Sequence, residues 1–456
     1  MTEREFAISV VRRLQEAGHQ ALWAGGCVRD ERLGLVPNDY DIATDARPED
    51  VKRLFRRTVA VGISFGVVEV LGPRERPELR VQVATFRSDV SYSDGRRPDE
   101  VIFSSPKEDA LRRDFTINGM FYDPLHDRLL DFVGGREDLD KRVLRAIGDP
   151  VVRFTEDKLR LLRAVRLATR FDLTIDAATA AAIRSMAPEI TVVSAERIAQ
   201  ELRQLLEHAQ RARGMNLLFE LGLVHAILPE LAPMKGLAQG LPSAPTGDLW
   251  DHVLRVLELL GPEATFALAM GALLHDIGKP RTVGWANDRY TFYHHEHVGA
   301  CMADDIAARL KLSNEERERI VWLVEKHQYL CDAKQMRTSK LKRLLAHPGI
   351  RELLALHRAD ALASDRSIEH VTYCEFLLES WGPEDLNPPT LLDGHDIMKA
   401  FGLEPGPLLK DLLDAVREAQ LEGKLSTKDE GLALVERVLK EKKEGRQPPP
   451  ADSPSS

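Results

Sequence analysis

Two short groups of residues near the N-terminus have types and spacing suited to phosphate and metal chemistry. Gly25 and Gly26 separate a strand-like stretch from a helical one, and such a glycine pair lets backbone N–H groups approach a phosphate closely. Asp39 and Asp41 lie two residues apart, so an extended segment places both carboxylates on one face, where they can hold Mg²⁺. Taken alone, either group is better explained as a Gly-rich turn or as an acidic surface loop. Their order within one strand–helix unit favours the phosphate and metal interpretation.

Histidines and acids recur in the C-terminal half with the spacing of metal ligands. Neutral imidazole and carboxylate together suit Mn, Fe, Ni or Co, and such a site can activate water against a phosphate ester. The candidate ligands are His252, His275, Asp276, His295, His327 and Asp360. His294 and His297 are alternatives to His295. Isolated surface or capping histidines are the competing interpretation, and the complete set of six favours an intact site.

A basic stretch at Arg153–Arg170 contains six Lys and Arg residues against two acids. Asp157 and Arg160 are three residues apart, so a continuous helix would make them neighbours that can read the polar edge of a nucleobase. A surface ion pair in the first helical turn is the simpler alternative. Arg163 and Arg166, further along, are suited to binding phosphate or to solvating the helix.

The net charge of the chain and the distribution of that charge along the sequence lead to different conclusions about a nucleic-acid partner. The chain of 456 residues has 63 Lys+Arg against 72 Asp+Glu, a net charge of -9, which by itself argues against a nucleic-acid partner. Residues 1–150 contribute 24 bases and 27 acids (-3), residues 151–250 contribute 12 and 11 (+1), and residues 251–456 contribute 27 and 34 (-7). The acidity therefore lies mainly in the C-terminal part, and the basic stretch remains available to a polyanion.

Composition also excludes several classes of protein. The hydrophobic fraction of 43% is sufficient for real cores, which excludes a mainly disordered chain. The longest apolar run, Thr265–Leu274, is far shorter than the roughly 20 residues that span a bilayer. The first residues resemble an amphipathic helix rather than a signal peptide, and the four cysteines are widely separated. We therefore expect a cytoplasmic protein with reduced thiols and no membrane association.

The pattern of elements changes after Pro150. Short Val- and Thr-rich runs alternate with helical segments before it, whereas amphipathic helices follow one another after it. The turn-rich stretch Pro233–Gly247 is predicted to be a linker, and Gly382–Pro389 marks a second break. The stretch Arg446–Ser456 is predicted to be disordered.

The motifs together resemble the class II tRNA nucleotidyltransferase and bacterial poly(A) polymerase family, in the polymerase-beta superfamily. The resemblance is nearly unbroken from Leu22 to about Leu206. Its segments are G-G-x-V-R-D at Gly25–Asp30, D-x-D at Asp39–Asp41, the T-F-R strand at Val81–Arg87, the loop Tyr92–Pro98, R-R-D-F-T-I-N at Arg112–Asn118, G-G-x-x-D-L at Gly134–Leu139 and E-D-x-x-R at Glu156–Arg160.

This resemblance implies a role for each matching residue. Asp39 and Asp41 would bind the catalytic Mg²⁺ ions, while Asp157 and Arg160 would act as the protein template for incoming CTP and ATP. The residues implied in binding the triphosphate, phosphate or sugar are Gly25, Gly26, Arg29, Arg113, Asp114 and Asn118. Glu196–Leu202 resembles the family's last head motif and is expected to pack structurally. Gln82 stands where family members usually carry Glu, and a neutral amide cannot replace a carboxylate at a metal.

A second resemblance covers the C-terminal half. Leu273–Pro280 and His295–Ala300 resemble metal-binding elements of the HD phosphohydrolase superfamily. The predicted architecture is α+β, with a polymerase-beta-like mixed-sheet head followed by a helical neck and body and a helical HD domain. The expected regions are a catalytic head at 1–150, a nucleotide-template and RNA-binding neck at 151–235, an HD domain at 248–380, a helical tail region at 381–445 and a disordered tail at 446–456.

The resemblance implies addition of C and A to tRNA 3′ ends from CTP and ATP, with release of pyrophosphate by a two-metal mechanism. Enzymes that add only A, and poly(A) polymerases acting on another RNA 3′ end, share nearly every motif. The Tyr92–Pro98 loop disfavours enzymes that add only CC, which have a shortened loop. The alternative from another class is an HD phosphohydrolase with a degenerate RNA-binding head. A non-enzymatic RNA-binding protein would require most of the motifs to be coincidental. The oligomeric state is left open.

Overall fold

The computed structural model describes residues 1–62, 66–89, 101–241 and 244–444. The Tyr92–Pro98 loop and the tail at 446–456 lie outside the described residues. The chain forms two compact units, which are treated separately below. The first comprises Met1–Lys235 and Asp305–Ser313, and the second comprises Gly236–Asp304 together with the chain from Asn314 onward.

The first unit is built on a seven-stranded sheet with the order β3-β4-β5-β2-β1-β8-β9. Strands β2 and β5 pair in parallel, and the other neighbours are antiparallel. The strands of this unit are β1 (Ala21–Ala24), β2 (Asp41–Thr44), β3 (Thr58–Gly62), β4 (Val67–Leu71), β5 (Arg80–Thr85), β6 (Arg87–Asp89), β7 (Val101–Phe103), β8 (Met120–Asp123), β9 (Arg128–Asp131), β10 (Val143–Leu144) and β11 (Thr174–Ile175). The predicted mixed-sheet head is confirmed.

Helices flank this sheet and continue beyond it. They are α1 (Glu3–Glu16), α2 (Gly26–Arg32), α3 (Pro48–Leu54), α4 (Pro106–Leu111), α5 (Gly135–Asp140), α6 (Pro150–Glu156), α7 (Arg160–Arg170), α8 (Ala177–Met186), α9 (Ala195–Leu206), α10 (Arg211–Glu220) and α11 (Leu223–Ile227), with 3-10 turns at Thr116–Asn118, Ala187–Val192 and Pro229–Met234. Apolar residues of β1 and β2 are buried beside Phe86 and Phe121, which fixes the sheet that carries the site.

The second unit is mainly helical, as predicted. Its helices are α12 (Leu249–Leu259), α13 (Phe266–Leu274), α14 (Lys279–Thr282), α15 (His295–Arg309, which runs on into the first unit), α16 (Asn314–Lys326), α17 (Thr338–Leu345), α18 (Ile350–Ala363), α19 (Glu369–Ser380), α20 (Pro383–Leu386), α21 (Gly394–Phe401), α22 (Pro407–Leu421) and α23 (Lys428–Glu444), with a 3-10 segment at Tyr329–Gln335. Two antiparallel pairs accompany them, β12 (Ala238–Leu241) with β13 (Ala244–Asp248) and β14 (Gly284–Ala286) with β15 (Arg289–Thr291).

The longest apolar run of the sequence forms the central helix of this second unit. Every residue of α13 except Ala267 is buried, and the helix packs against α12, α16 and α18. Within the described residues, no helix combines the length and apolarity needed to cross a membrane. The apolarity of this segment is therefore explained by burial inside a helical bundle.

The two predicted breaks contain regular structure. The stretch Pro233–Gly247 includes β12 and most of β13, because Asp248 and Leu249 anchor it through hydrogen bonds to Gly236 and Leu237. The boundary between the compact units nevertheless falls inside this stretch. The second break, at Gly382–Pro389, contains the single helical turn α20, which begins with a proline at its first position.

Candidate functional site

The strand pairing explains why distant motifs meet at one edge of the sheet. Antiparallel pairing of β1 with β2 and β8 places the end of β1 beside the beginning of each neighbour. Gly25 at the end of β1, Asp41 at the start of β2 and Asn118 just before β8 therefore come together. A backbone hydrogen bond from the N–H of Gly25 to the carbonyl of Met120, 3.3 Å long, joins two of these segments.

A cleft of about 500 Å³ opens at this edge. It is lined by Gly25, Gly26, Arg29, Asp39, Asp41, Arg112, Arg113, Asp114, Asn118, Asp157, Leu159, Arg160, Arg163, Arg166, Leu167, Arg170 and Arg197. Every head residue predicted from the sequence is among them. Eight arginines face four aspartates in this set, so the cleft is strongly basic although the chain as a whole is acidic. Such a concave basic site suits a triphosphate or a nucleic-acid backbone.

The two acids of the D-x-D motif both point into this cleft. Tyr40 between them is buried, whereas Asp39 and Asp41 are exposed on the other side of the segment, as the alternation predicted. Partial enclosure by the cleft and the negative charge of Asp39 raise the pKa of Asp41 to about 6, although Arg113 opposes this shift. The two carboxylates present oxygen ligands on one side of the segment, which is the type of ligand that Mg²⁺ prefers.

Gly25 has a backbone conformation and a close neighbour that both require glycine. Its φ is +74°, and a Cβ at this position would lie 2.8 Å from Nη1 of Arg113. The backbone turn from β1 into α2 can therefore pass close to the guanidinium only without a side chain. The same Arg113 Nη1 donates to the carbonyl of Asn118 at 3.3 Å, which ties the glycine turn to the neighbouring motif.

A buried acid that the sequence analysis did not single out holds the two adjacent arginines. Asp109 on α4 is 1% exposed, and its two carboxylate oxygens accept hydrogen bonds from Arg112 and Arg113 at 2.6–3.1 Å. Burial would raise the pKa of Asp109, but the two guanidinium groups lower it below its ordinary value. Arg112 and Arg113 follow Asp109 by three and four residues, and this helical spacing could have predicted both contacts from the sequence.

Arg29, Asn118 and Asp114 form one connected network beneath the cleft. Nη1 of Arg29 donates to Oδ1 of Asn118 at 2.6 Å, and Nδ2 of Asn118 donates to Oδ1 of Asp114 at 3.0 Å. Arg29 is buried, pairs with Asp30 at 2.6 Å and lies 4.0 Å from the ring centre of Phe171. These contacts place Arg29 to position its neighbours, and it also lines the cleft.

The predicted helix around Asp157 is interrupted. Helix α6 ends at Glu156, Asp157 is extended with φ -151° and ψ 107°, and α7 begins at Arg160. The expectation that Asp157 and Arg160 share one face of a continuous helix is therefore wrong. The reason is local: the Asp157 side chain accepts a hydrogen bond from the N–H of Leu159 at 3.0 Å, which competes with helix continuation.

Separate partners orient these two side chains toward the cleft. Nη2 of Arg197 donates to Oδ2 of Asp157 at 2.7 Å, while Arg160 contacts Glu156 and the carbonyl of Arg153. Arg197 also lines the cleft, so the Glu196–Leu202 segment does more than pack. The sequence did not predict the contact between Arg197 and Asp157, because the two residues are 40 positions apart.

The basic residues further along α7 face the cleft rather than only solvent. Nε of Arg163 lies 2.8 Å from Oδ2 of Asp114, and its charge lowers the pKa of that buried acid, against the effect of burial. Nε of Arg166 donates to Glu201 at 2.6 Å. Opposite these contacts, Leu161, Leu162 and Val165 pack α7 into the core, which fixes the direction of the arginines.

The six predicted ligands of the second unit also form one cluster. They come from the ends and faces of packed helices: His252 from α12, His275 and Asp276 directly after α13, His295 at the start of α15, His327 directly after α16 and Asp360 from α18. Within the cluster, Asp276 is nearly fully buried and central. Its carboxylate lies 3.1 Å from His275, 3.2 Å from His295 and 3.6 Å from His327.

The histidine rings are held in orientations that suit metal binding. Nδ1 of His275, His295 and His327 lies 2.6–2.8 Å from the backbone carbonyls of Ala272, Phe292 and Val324 respectively. A carbonyl only accepts, so Nδ1 carries the proton and Nε2 offers its lone pair to the cluster. Nε2 of His275 is buried and faces the carboxylate of Asp276 at 3.1 Å. These donors fit one or two cations.

Two groups of potential ligands divide this cluster. His252, His275 and Asp360 form one, and Asp276, His295 and His327 form the other, each with ligand atoms within 4.8 Å of one another. The alternatives His294 and His297 lie in a different, more exposed group with Glu296. Lys279, which was not predicted, donates to Asp276 at 2.6 Å from the next helical turn.

Comparisons with known protein families agree with this arrangement. The family described as "Poly A polymerase head domain" matches residues 21–145, "Probable RNA and SrmB- binding site of polymerase A" matches residues 172–235, and "HD domain" matches residues 249–365. The first two families fall in the first compact unit, which holds the basic cleft. The third contains all six residues of the histidine–aspartate cluster.

Individual relatives extend the match along the chain. An A-adding tRNA nucleotidyltransferase of Deinococcus radiodurans is 32% identical over 439 residues, covering 92% of this chain and 96% of the relative. A CCA-adding enzyme of Enterococcus faecalis is 42% identical over 210 residues, 46% of this chain, and that match spans only 50% of the relative's length. The crystal structure of the Bacillus stearothermophilus CCA-adding enzyme in complex with CTP has a TM-score of 0.70 at 26% identity, covering 97% of this chain and 100% of that one.

The fold and the cleft thus combine a head domain of the poly(A) polymerase type with the region described as the probable RNA-binding site of polymerase A and an HD domain. The alignment with the Deinococcus relative covers nearly the whole of both chains, and it therefore shows the family of the whole chain. This chain belongs to the tRNA nucleotidyltransferase and poly(A) polymerase family.

Proposed function

We propose that the protein adds C and A to tRNA 3′ ends, using CTP and ATP and releasing pyrophosphate. The observation that carries the proposal is the single cleft in which the D-x-D acids, the glycine turn and the arginines of α7 converge. Relatives named CCA-adding enzyme and the CTP complex of the Bacillus protein support this choice of substrates. The proposed regions remain a head at 1–150, a neck at 151–235, an HD domain at 248–380 and a tail region at 381–445.

In this proposal Asp39 and Asp41 hold the catalytic Mg²⁺ ions. When bound, two such ions supply activation of the RNA 3′-hydroxyl and neutralisation of charge on the leaving pyrophosphate. Arg113 and Arg163 face the same space and would orient the triphosphate from the opposite wall. Because Gly25 and Gly26 have no side chains, phosphate oxygens could approach the backbone N–H groups that follow Gly25 at the start of α2, while the N–H of Gly25 itself donates to Met120.

Asp157 and Arg160 would select the nucleobase. A carboxylate that accepts and a guanidinium that donates can together match the polar edge of cytosine or adenine. Because Arg197 holds Asp157 and Glu156 holds Arg160, both side chains are positioned before a nucleotide enters. Such preorganisation lowers the cost of ordering the side chains on binding.

Stepwise primer extension tests the proposal. Purified protein is given tRNA lacking its CCA end, with CTP alone, ATP alone, or both, and products are resolved to one nucleotide. The proposal expects addition of C from CTP and of a terminal A when both are present. Failure to incorporate C under any condition would overturn it.

Addition of A alone is the second candidate, because a relative that aligns along 96% of its own length is named an A-adding tRNA nucleotidyltransferase, although a Streptococcus suis relative that aligns equally far is named a CCA-adding enzyme. Comparing the tRNA that lacks its whole CCA end with a tRNA that already ends in CC separates the candidates. Both activities extend that substrate with ATP, but only a CCA-adding enzyme extends the shorter tRNA with CTP.

The HD cluster supports a further candidate, metal-dependent hydrolysis of a phosphate ester with Mn, Ni, Co or Fe. If this were the only activity, the head would be a degenerate RNA-binding module. Replacing both Asp39 and Asp41 with Ala distinguishes the possibilities. We expect nucleotide addition to be lost and any metal-dependent phosphatase activity to persist. Addition that survives the double replacement would refute the assignment of these acids.

A further inference from the structure

A second group of metal-type side chains lies in the helical unit, outside the six HD residues. One ligand atom each from Cys331, His357 and His370 lies within 4.8 Å of the other two. The three residues come from separate elements, namely the 3-10 segment Tyr329–Gln335 and helices α18 and α19, which pack against one another. Their meeting is therefore a product of tertiary packing, and no spacing in the sequence indicates it.

The donor set differs chemically from the HD cluster. That cluster offers imidazole and carboxylate, whereas this group combines a thiol with two imidazoles. Thiolate and imidazole together favour Zn²⁺ and other thiophilic cations over Mg²⁺ or Ca²⁺. Three protein ligands leave one position of a tetrahedral site for water or another small ligand.

Both histidines have nitrogens available for a cation. His357 is 2% exposed, and its Nε2 lies 3.3 Å from the carbonyl oxygen of Lys326. Because a carbonyl only accepts, this contact places the proton on Nε2 and leaves the lone pair on Nδ1. Nε2 of His370 is buried and has no hydrogen-bond partner among the described residues. The two rings are 5.4 Å apart and inclined at 68°.

The surroundings allow a cation to enter. Cys331 is exposed as a residue, although partial burial of its thiol raises the pKa of that group. Arg366, a basic residue whose charge acts on Cys331 and His370, already pairs with Asp360 at 2.6 Å, which offsets its charge. On binding, the thiol would release its proton to solvent, and the resulting thiolate would compensate part of the cation's charge.

We propose that Cys331, His357 and His370 form a three-ligand site for a thiophilic divalent cation of the zinc class, separate from the HD metals. Cys331 follows the HD residue His327 by four positions, and His357 precedes Asp360 by three. A cation at this site would therefore cross-link two segments that each carry an HD ligand.

Cobalt titration of the metal-free full-length protein tests the site. Co²⁺ bound by a thiolate gives a near-ultraviolet sulfur-to-cobalt charge-transfer band, and the HD cluster contains no cysteine that could produce one. We expect this band in the wild type, and we expect Cys331→Ser and His370→Asn each to abolish it. A competing chromophoric chelator should show that Cys331→Ser weakens Zn²⁺ binding by at least about tenfold, the loss typical even of outer-shell changes.

Two variants provide matched controls. Cys301→Ser removes another exposed cysteine outside the group, and Asp276→Asn alters only the HD cluster, so both should retain the band. Circular dichroism checks that each variant is folded. Absence of the band in the wild type, or its persistence in Cys331→Ser or His370→Asn, would overturn the proposal.

Discussion

Arg197 on α9 donates a hydrogen bond to Asp157 at 2.7 Å and so fixes a carboxylate that lies in the break between α6 and α7. Both side chains are largely shielded from solvent and both line the basic cleft. Asp157 has no helix of its own to orient it. In the proposed role of Asp157, its orientation toward a nucleobase would therefore depend on an arginine from a different helix.

Replacing Arg197 with Ala should reduce nucleotide selectivity more than overall turnover. Loss of a hydrogen bond to a charged group costs about 1.5–3 kcal/mol, so discrimination between CTP or ATP and the wrong nucleotides should fall roughly tenfold. Misincorporation of UTP and GTP, measured by single-nucleotide extension, provides the test. Arg203→Ala on the same helix, outside the cleft, is the control, and equal selectivity in both variants would contradict the role of Arg197.

Gly25→Ala should nearly abolish addition. The new Cβ would lie 2.8 Å from Nη1 of Arg113 and would occupy a positive φ, so the turn or the arginine must shift. A shift of about 1 Å in groups that position a substrate can slow a reaction a hundredfold. We therefore expect kcat/KM to fall by at least that factor.

The variant Gly34→Ala is a control that distinguishes the effect of backbone strain from the effect of the steric clash with Arg113. Gly34 also has a positive φ, +72°, but its Cβ would meet nothing within 4 Å. This variant should lose about 1–2 kcal/mol of stability and keep nearly full activity. Comparable loss of activity in both variants would show that strain alone explains the effect.

Asp109→Asn should lower both stability and nucleotide affinity. The neutral amide cannot accept the charged hydrogen bonds from Arg112 and Arg113, so the free energy of unfolding should decrease by about 2–3 kcal/mol. Urea denaturation and the KM for CTP measure the two effects. Asp140→Asn, an exposed residue 3.9 Å from Arg136, should change stability by less than about 0.5 kcal/mol. An unchanged KM in Asp109→Asn would mean that Asp109 serves stability alone.

Gln82→Glu tests whether a third acid is missing from the head. Gln82 on β5 lies in register with Asp41 on the parallel neighbour β2, so both side chains project from the same face of the sheet. A carboxylate at this position should lower the Mg²⁺ concentration that gives half-maximal addition by several-fold. An unchanged or weakened Mg²⁺ dependence would indicate that the two D-x-D acids are sufficient.

Asp276→Asn should remove metal from the HD cluster without affecting nucleotide addition. Asp276 is the acid shared by contacts to His275, His295 and His327, and its loss deprives the cluster of charge. Elemental analysis after incubation with Mn²⁺, Co²⁺ or Ni²⁺ measures retention. His297→Ala, which changes an exposed ring outside the cluster, should retain wild-type metal content. Equal metal content in both variants would refute the site.

The sequence was sufficient to identify the head residues that line the basic cleft and the six residues that form the histidine–aspartate cluster. Alternation along an extended segment determines that Asp39 and Asp41 share a face, whatever the rest of the fold does. Likewise, the change from strand-type to helix-type periodicity after Pro150 predicted the α+β architecture. These features depend on neighbours within a few residues, and residue order alone specifies them.

Tertiary structure decided how the side chains are held. The break at Asp157, the anchoring of two arginines by Asp109 and the meeting of Cys331 with His357 and His370 depend on which helices pack together. Packing is set by burial of apolar faces, such as those of α7 and α13, and the polar partners follow from that geometry. Residue types therefore determined which reactions are possible, whereas long-range packing determined which side chains meet, because hydrogen bonds and metal coordination require ångström-scale placement that sequence spacing cannot define.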